Sequence, residues 1–179
     1  MRTKAIVIRK MPANEYDQIV TLYSEDFGTM RAMARGVCRS TSVQSMHLEL
    51  LNAVEFEVIH GKLMPIISSA VMSRQHRNVK DSLPKLAAVQ FFVEVLDKIA
   101  FENEKDVHLW EFLNTMLIDF DTASCDDVLP LFRKHQAEFL KVLGYRPEID
   151  LQHSALDEFF GGIVGRKISS LSFLYSVLQ

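Results

Sequence analysis

A chain of 179 residues, 48% hydrophobic and 24% charged, is long enough to bury a core and has the composition of an ordinary globular protein. Its net charge of −3 excludes a uniformly basic nucleic-acid binder, but the charge is divided. Residues 1–80 hold 11 Lys and Arg against 7 Asp and Glu, and residues 81–179 hold 9 against 16, the signature of a basic binding module joined to something acidic. The two cysteines, Cys38 and Cys125, are too far apart for a zinc knuckle or a disulfide framework. The N-terminal apolar run is too short for a signal peptide, and no run approaches the roughly eighteen residues that span a bilayer. These features predict a soluble cytoplasmic protein with no membrane partner.

Residues 4–10, KAIVIRK, are short and β-branched and read as a first strand, broken by Met11-Pro12-Ala13-Asn14. Asp17 to Ser24 reads as a second strand, closed by the turn Glu25-Asp26-Phe27-Gly28. Thr29 to Arg35 is the third, followed by a Ser/Thr-rich loop. The alternation Val54-Glu55-Phe56-Glu57-Val58 marks a half-buried fourth strand within Leu48 to His60. After Gly61-Lys62, Leu63 to Met72 is the fifth, with Pro65 favouring an edge or bulge. Five short strands in roughly 75 residues fit a small β-barrel, of OB-fold or SH3-like type.

Around residue 80 the period changes. Leu83, Leu86, Val89, Phe92, Val93, Leu96 and Ile99 recur at helical steps after Asp81-Ser82, which can cap a helix. A second helix is predicted from about Val107 to Phe120. A third runs from Asp126-Asp127 to Leu143, with Gly144 as C-cap and Pro147 preventing resumption. In the tail, Gly161-Gly162 reads as a turn, Ile163-Val164 as a fragment of strand, and Ile168 to Leu178 as a last short helix. The expected fold is therefore α+β: a five-stranded barrel over residues 1–79, then a helical domain over 80–179 with a small C-terminal hairpin and helix.

In an extended Thr29–Arg35, Met30, Ala32 and Ala34 share one face, and Arg31, Met33 and Arg35 the other. Arg31 and Arg35 then root roughly 13 Å apart, a span over which forked guanidinium contacts reach different phosphates of one strand. Arg39 follows in the loop, and Arg9 and Lys10 end the first strand. The alternative reading is a solvated face that serves solubility. Tyr23 and Phe27 are candidates for base stacking, although aromatics in a small barrel are usually core.

Enzymatic readings find little support. His135 and Glu138 share a helix face, but a carboxylate-bridged metal site needs a second such pair, and none is present. Gly161 to Gly165 lacks the Lys-Ser/Thr of a phosphate-binding loop. Cys38 has no histidine placed by sequence to act as its base.

Taken together, KAIVIRK, DQIVTLYSEDFGTMRAMARG with its basic loop, and FRKHQAEFLKVLGYRPEID resemble the RecO family of bacterial recombination mediators. The resemblance rests on a Ser24-Glu25-Asp26-Phe27-Gly28 turn, an Ala34-Arg35-Gly36-Val37-Cys38-Arg39 element and a Leu143-Gly144-Tyr145-Arg146-Pro147 helix end. It implies an N-terminal OB-fold and a helical domain. It also implies binding of single- and double-stranded DNA, annealing of complementary strands and loading of recombinase together with RecR, without a cofactor, a small-molecule substrate or a catalytic step. The acidic, Phe-ended tail of single-strand DNA-binding protein is implied to dock on the helical domain, where Arg133 is the matching position. Many family members carry a four-cysteine zinc site after the position of Asp150. Residues 151–179 hold no cysteine, and His153 cannot replace that site alone, so no metal is expected. The competing function is a non-catalytic adaptor whose barrel binds another protein.

Overall fold

The computed structural model describes residues 2–145 and 153–178; Pro147 and the side chain of His153 lie outside the described residues. The chain divides into two units, Met1–Gln75 with Ala100–Trp110, and His76–Ile99 with Glu111–Gln179. Sequence reasoning placed the division after residue 79 and gave residues 100–110 to the helical part.

In the first unit, β1 (Arg2–Pro12), β2 (Gln18–Ser24), β3 (Gly28–Ala34), β4 (Ala53–Ile59) and β5 (Ile66–Arg74) close a barrel in the order β1-β2-β3-β5-β4. All neighbours are antiparallel except β3 and β5, which meet in parallel at Met33 and Ile66. This five-stranded Greek-key closure is the OB-fold and sets aside the SH3-like alternative. The core is small-residue rich, with Ala5, Ala32, Ala34 and Ala70 beside Val7, Val20, Leu22, Met30, Val54 and Phe56. Such residues suit a narrow lumen, where bulkier inward side chains would overpack. Between β3 and β4 a single helical turn, α1 (Gln44–His47), leads into Leu48, which joins that core. Buried Asn52 donates its amide to the carbonyls of Met46 and His47 at 3.0 Å each and so fixes that connection.

Residues Ala100–Trp110 lie on the barrel because Gly28, at φ +62°, leaves room for them. A Cβ at Gly28 would stand 1.8 Å from the carbonyl oxygen of Glu104. The Asn103 N–H donates to Thr29 O at 2.8 Å, and the Tyr23 hydroxyl to Asp106 O at 3.4 Å.

The second unit holds α2 (Arg77–Lys80), α3 (Leu83–Ile99), most of α4 (Val107–Thr122), α5 (Val128–Val142), α6 (His153–Val164) and α7 (Ser169–Val177). Pro130 falls in the first turn of α5, where the missing N–H has no intrahelical partner to lose. The core is a phenylalanine cluster: Phe91 and Phe92 of α3 meet Phe132 and Phe139 of α5, Phe112 and Phe120 of α4, and Phe160 of α6 at centroid distances of 5.0–6.4 Å. The expected C-terminal hairpin is corrected. Gly161 and Gly162 run inside α6, because Leu156 and Phe160, one turn apart, are both buried and Phe160 packs 5.0 Å from Phe91. That packing outweighs about 1 kcal/mol of helix propensity lost at each glycine. The helix stops at Gly165, φ +68°.

The N-terminus of α7 has no side-chain cap of its own, since Ile168 precedes it. Glu94 of α3 supplies one. Its carboxylate accepts the N–H groups of Ser169 at 3.1 Å and Ser170 at 2.8 Å and the Ser170 hydroxyl at 2.6 Å, and it pairs with Lys98. Burial pushes this carboxyl up, but Lys98, the Ser170 hydroxyl and the two N–H groups prevail and hold it at about 2.

Candidate nucleic-acid interface

Register places the arginines. With Val20 and Leu22 in the core, Thr21 points outward, and it stands opposite Arg9 of β1 and Arg31 of β3. Arg9 reaches that face through a β-bulge: the pairing slips between Val7 and Arg9, so Ile8 is the extra residue. Strict alternation from inward Val7 would have turned Arg9 into the lumen. Arg9 and Arg31 are exposed and lie two strand spacings apart, roughly 10 Å. The next outward row is apolar: exposed Met11, then half-buried Ile19 and Met33. Exposed Arg35 follows directly after β3.

The same alternation separates Lys10 from this group. It stands opposite inward-facing Val20, its side chain is 19% exposed, and its ammonium pairs with Glu49 at 2.7 Å. Arg31 also has an acidic neighbour, Glu102, at 2.8 Å, but both side chains of that pair are half-exposed. A solvated pair of this kind is worth up to about 1 kcal/mol and yields readily to a phosphate.

At the end of β3 two loops are tied together. The Asp17 carboxylate accepts the Gly36 N–H at 2.7 Å and the Asn14 amide at 2.9 Å. Those two bonds, with Arg35 and Arg39 nearby, hold its carboxyl below the usual range. The Cys38 N–H donates to Tyr16 O at 3.0 Å, and the Arg39 guanidinium lies 5.2 Å from the centre of the Tyr16 ring. The structure thus groups Arg9 with Arg31, and Arg35 with Arg39, on either side of the Met11–Ile19–Met33 row.

The stacking candidates do not take part. Tyr23 shares a row with Ile6 and Thr29, all three buried, and burial followed by Asp106 and Glu104 raises its hydroxyl pKa. Phe27 packs against the barrel core. Sequence reasoning missed Met11, Ile19 and Tyr16. Met11 was read as part of a strand break, but β1 continues to Pro12. The Asn14-x-x-Asp17 spacing is the only signal for Tyr16: Asn14 Oδ1 accepts the N–H groups of Tyr16 and Asp17 at 2.9 Å each and fixes the loop.

In the second unit, Arg133 is not on an exposed rim. Its side chain is 13% exposed, and it pairs with Asp157 of α6 at 2.7 Å, donates to Gln136 at 2.7 Å and bonds to the Tyr175 hydroxyl of α7. Burial and Asp157 raise the Tyr175 hydroxyl to about 12. The exposed cation beside it is Lys134, which borders a groove of about 410 Å³ with Asp119, Asp127, Pro130 and Leu131. Buried His135 lies 3.1 Å from Asp119 and 3.0 Å from Glu138, and burial lowers its pKa against the pull of both carboxylates. Among the described residues no group of three or more His, Cys, Asp or Glu is placed to hold a metal ion.

Comparison with known proteins gives two family matches: "Recombination protein O N terminal" over residues 1–76 and "Recombination protein O C terminal" over residues 80–156. The chain is 30% identical over 149 residues to the DNA repair protein RecO of Dehalococcoides mccartyi strain BAV1, covering 83% of this chain and 58% of that protein. It is 26% identical over 150 residues to the protein of the same name from Thermoanaerobacter sp. strain X514, covering 84% and 60%. With the one from Bacillus mycoides strain KBAB4 it shares 28% over 149 residues, covering 83% and 59%. The chain spans about three fifths of the length of these curated relatives.

Proposed function

The chain belongs to the RecO family of DNA-repair proteins, and from that premise we propose that it binds DNA through its barrel, anneals complementary strands and helps load recombinase onto single-stranded DNA. The observation that carries this reading is the outer face of β1–β3, where Arg9 and Arg31 flank Thr21 and Arg35 and Arg39 follow beyond a partly exposed apolar row. Cations at that spacing track phosphates without reading sequence. The apolar row between them suits the faces of unpaired bases. Annealing needs two strands held close, with their charge partly neutralised and their base edges free, and a barrel face that grips only backbone meets that need. No bond is made or broken, so neither a cofactor nor a small-molecule substrate enters.

The partners that the family implies, RecR and single-strand DNA-binding protein, belong to the same reading. For the acidic tail of the latter, Arg133 is buried against Asp157, and exposed Lys134 beside the groove would exchange its own partners, Asp119 and Glu138, for the tail's carboxylate. Lys134 offers a cation to a terminal carboxylate, and Pro130 and Leu131 an apolar wall to a ring.

The test is an Arg31→Glu/Arg35→Glu variant titrated into a fluorescent single-stranded oligonucleotide. The reading requires binding at least tenfold weaker than wild type. Equal affinities would discard it in favour of the adaptor, for which exposed Val43, Met46 and Leu63 on the barrel unit provide apolar contact area.

A further inference from the structure

Most aromatic side chains of a five-stranded barrel are consumed by its core, and here Tyr23 and Phe56 are buried. Tyr16 is the exception in the β1–β2 loop: it is 43% exposed, and its backbone is tethered through both its N–H and its carbonyl. Its N–H donates to Asn14 Oδ1 at 2.9 Å, and its carbonyl accepts the Cys38 N–H at 3.0 Å. The next residue, Asp17, accepts the Gly36 N–H at 2.7 Å, so the β1–β2 loop and the turn after β3 are joined at two successive residues. Gly36, at φ +64°, makes that turn, and Arg39 comes back over it to place its guanidinium against the Tyr16 ring, 5.2 Å from the centroid.

With its backbone pinned, Tyr16 presents its ring at the surface with Arg39 against it, outside the barrel core. An aromatic face backed by a guanidinium and flanked by a second arginine, Arg35, has the elements that hold an unpaired base: a π surface for stacking and cations for the adjoining phosphates. Resting on the DNA-binding reading above, we propose that Tyr16, backed by Arg39, is a stacking platform for one unpaired nucleobase at the end of the arginine face. Bases within a duplex already have both faces covered by their neighbours, so this contact is open only to single strands and frayed ends. Tyr16 thus adds a contact that only unpaired bases can make, while Arg9, Arg31, Arg35 and Arg39 bind the phosphates of either form.

The experiment compares wild type, Tyr16→Ala and Tyr16→Phe in the full chain by fluorescence anisotropy. Three probes of equal length are used: a thymidine strand, a strand of abasic sites carrying only sugar and phosphate, and a duplex. Tyr16→Ala is expected to weaken binding to the thymidine strand by roughly five- to a hundred-fold and to change binding to the abasic strand and the duplex less than about twofold. Tyr16→Phe, which keeps the π face, retains wild-type discrimination. An equal loss on all three probes means that the ring only positions Arg39, and overturns the proposal; so does an unchanged affinity for the thymidine strand. If wild type binds none of the probes, the DNA-binding reading itself falls and takes the platform with it, an outcome distinct from selective failure of Tyr16.

Discussion

Glu94 is the group whose removal has the most calculable effect. Its side chain is 20% exposed, its carboxyl sits at about 2 against an ordinary 4.5, and it is the cap of α7. A gap of that size corresponds to about 3 kcal/mol of folding stability at 1.36 kcal/mol per pH unit, as an upper bound. Because the folded pKa is the depressed one, this stability is fully present above the unfolded value. It is lost as pH falls toward about 2, and more than half is gone by about pH 3. Glu94→Gln keeps an acceptor oxygen but loses the charge that Lys98 and the helix terminus favour, and should cost about 1–2 kcal/mol at pH 7. Glu94→Ala removes the cap and should cost about 2–3 kcal/mol. Urea unfolding at pH 7, 4.5 and 3 reads both the size and the pH course. The gap between wild type and Glu94→Gln must narrow between pH 4.5 and pH 3. A gap that stays constant over that range would refute the assignment of this carboxylate as a charged cap.

Three further outcomes are expected. Gly28→Ala forces a Cβ to within 1.8 Å of the Glu104 carbonyl oxygen at a backbone φ of +62°. Thermal unfolding should show a loss of about 1–3 kcal/mol, from backbone strain and from lifting residues 100–106 off the barrel. Asp157→Ala leaves the Arg133 guanidinium buried without its carboxylate and should cost about 3–5 kcal/mol in chemical denaturation. Arg133→Met combined with Asp157→Leu should be markedly milder. Glu102→Gln releases Arg31 from its half-exposed partner. Oligonucleotide affinity should then rise by up to about fivefold at low salt, the equivalent of about 1 kcal/mol, and the gain should fade as salt is added.

The barrel was legible because its strands carry their own signals. β-Branched residues fill β1, an acidic-apolar alternation marks β4, and a Gly-ended turn joins β2 to β3. The face of β3 followed from period two alone, and Met30, Ala32 and Ala34 are indeed buried, with Arg31 exposed. The same rule could not place Arg9 and Lys10, because a bulge at Ile8 inverts the alternation and leaves no mark in composition. Arg133 reads as a surface helix residue until its partners are known. Asp157 and Tyr175 lie 24 and 42 residues away, on helices that only the packed fold brings to it. Gly161-Gly162 failed for a related reason: a local turn signal was overridden by Phe160 in the aromatic cluster. For Tyr16 the Asn14-x-x-Asp17 spacing marks the loop but not the exposure of the ring, whose setting depends on Cys38 and Arg39, over twenty residues downstream.

The central claim is that the arginine face of the barrel holds phosphate, and the salt dependence of binding tests it most directly. Four phosphate contacts, by Arg9, Arg31, Arg35 and Arg39, give a log–log slope of about −2.8 for a single strand, so affinity should fall about fifty-fold between about 50 and 200 mM salt. With Arg31 and Arg35 both changed to Ala the slope should halve to about −1.4, a loss of about sevenfold over the same range. A wild-type slope near zero, or a slope unchanged by the two substitutions, would contradict the claim.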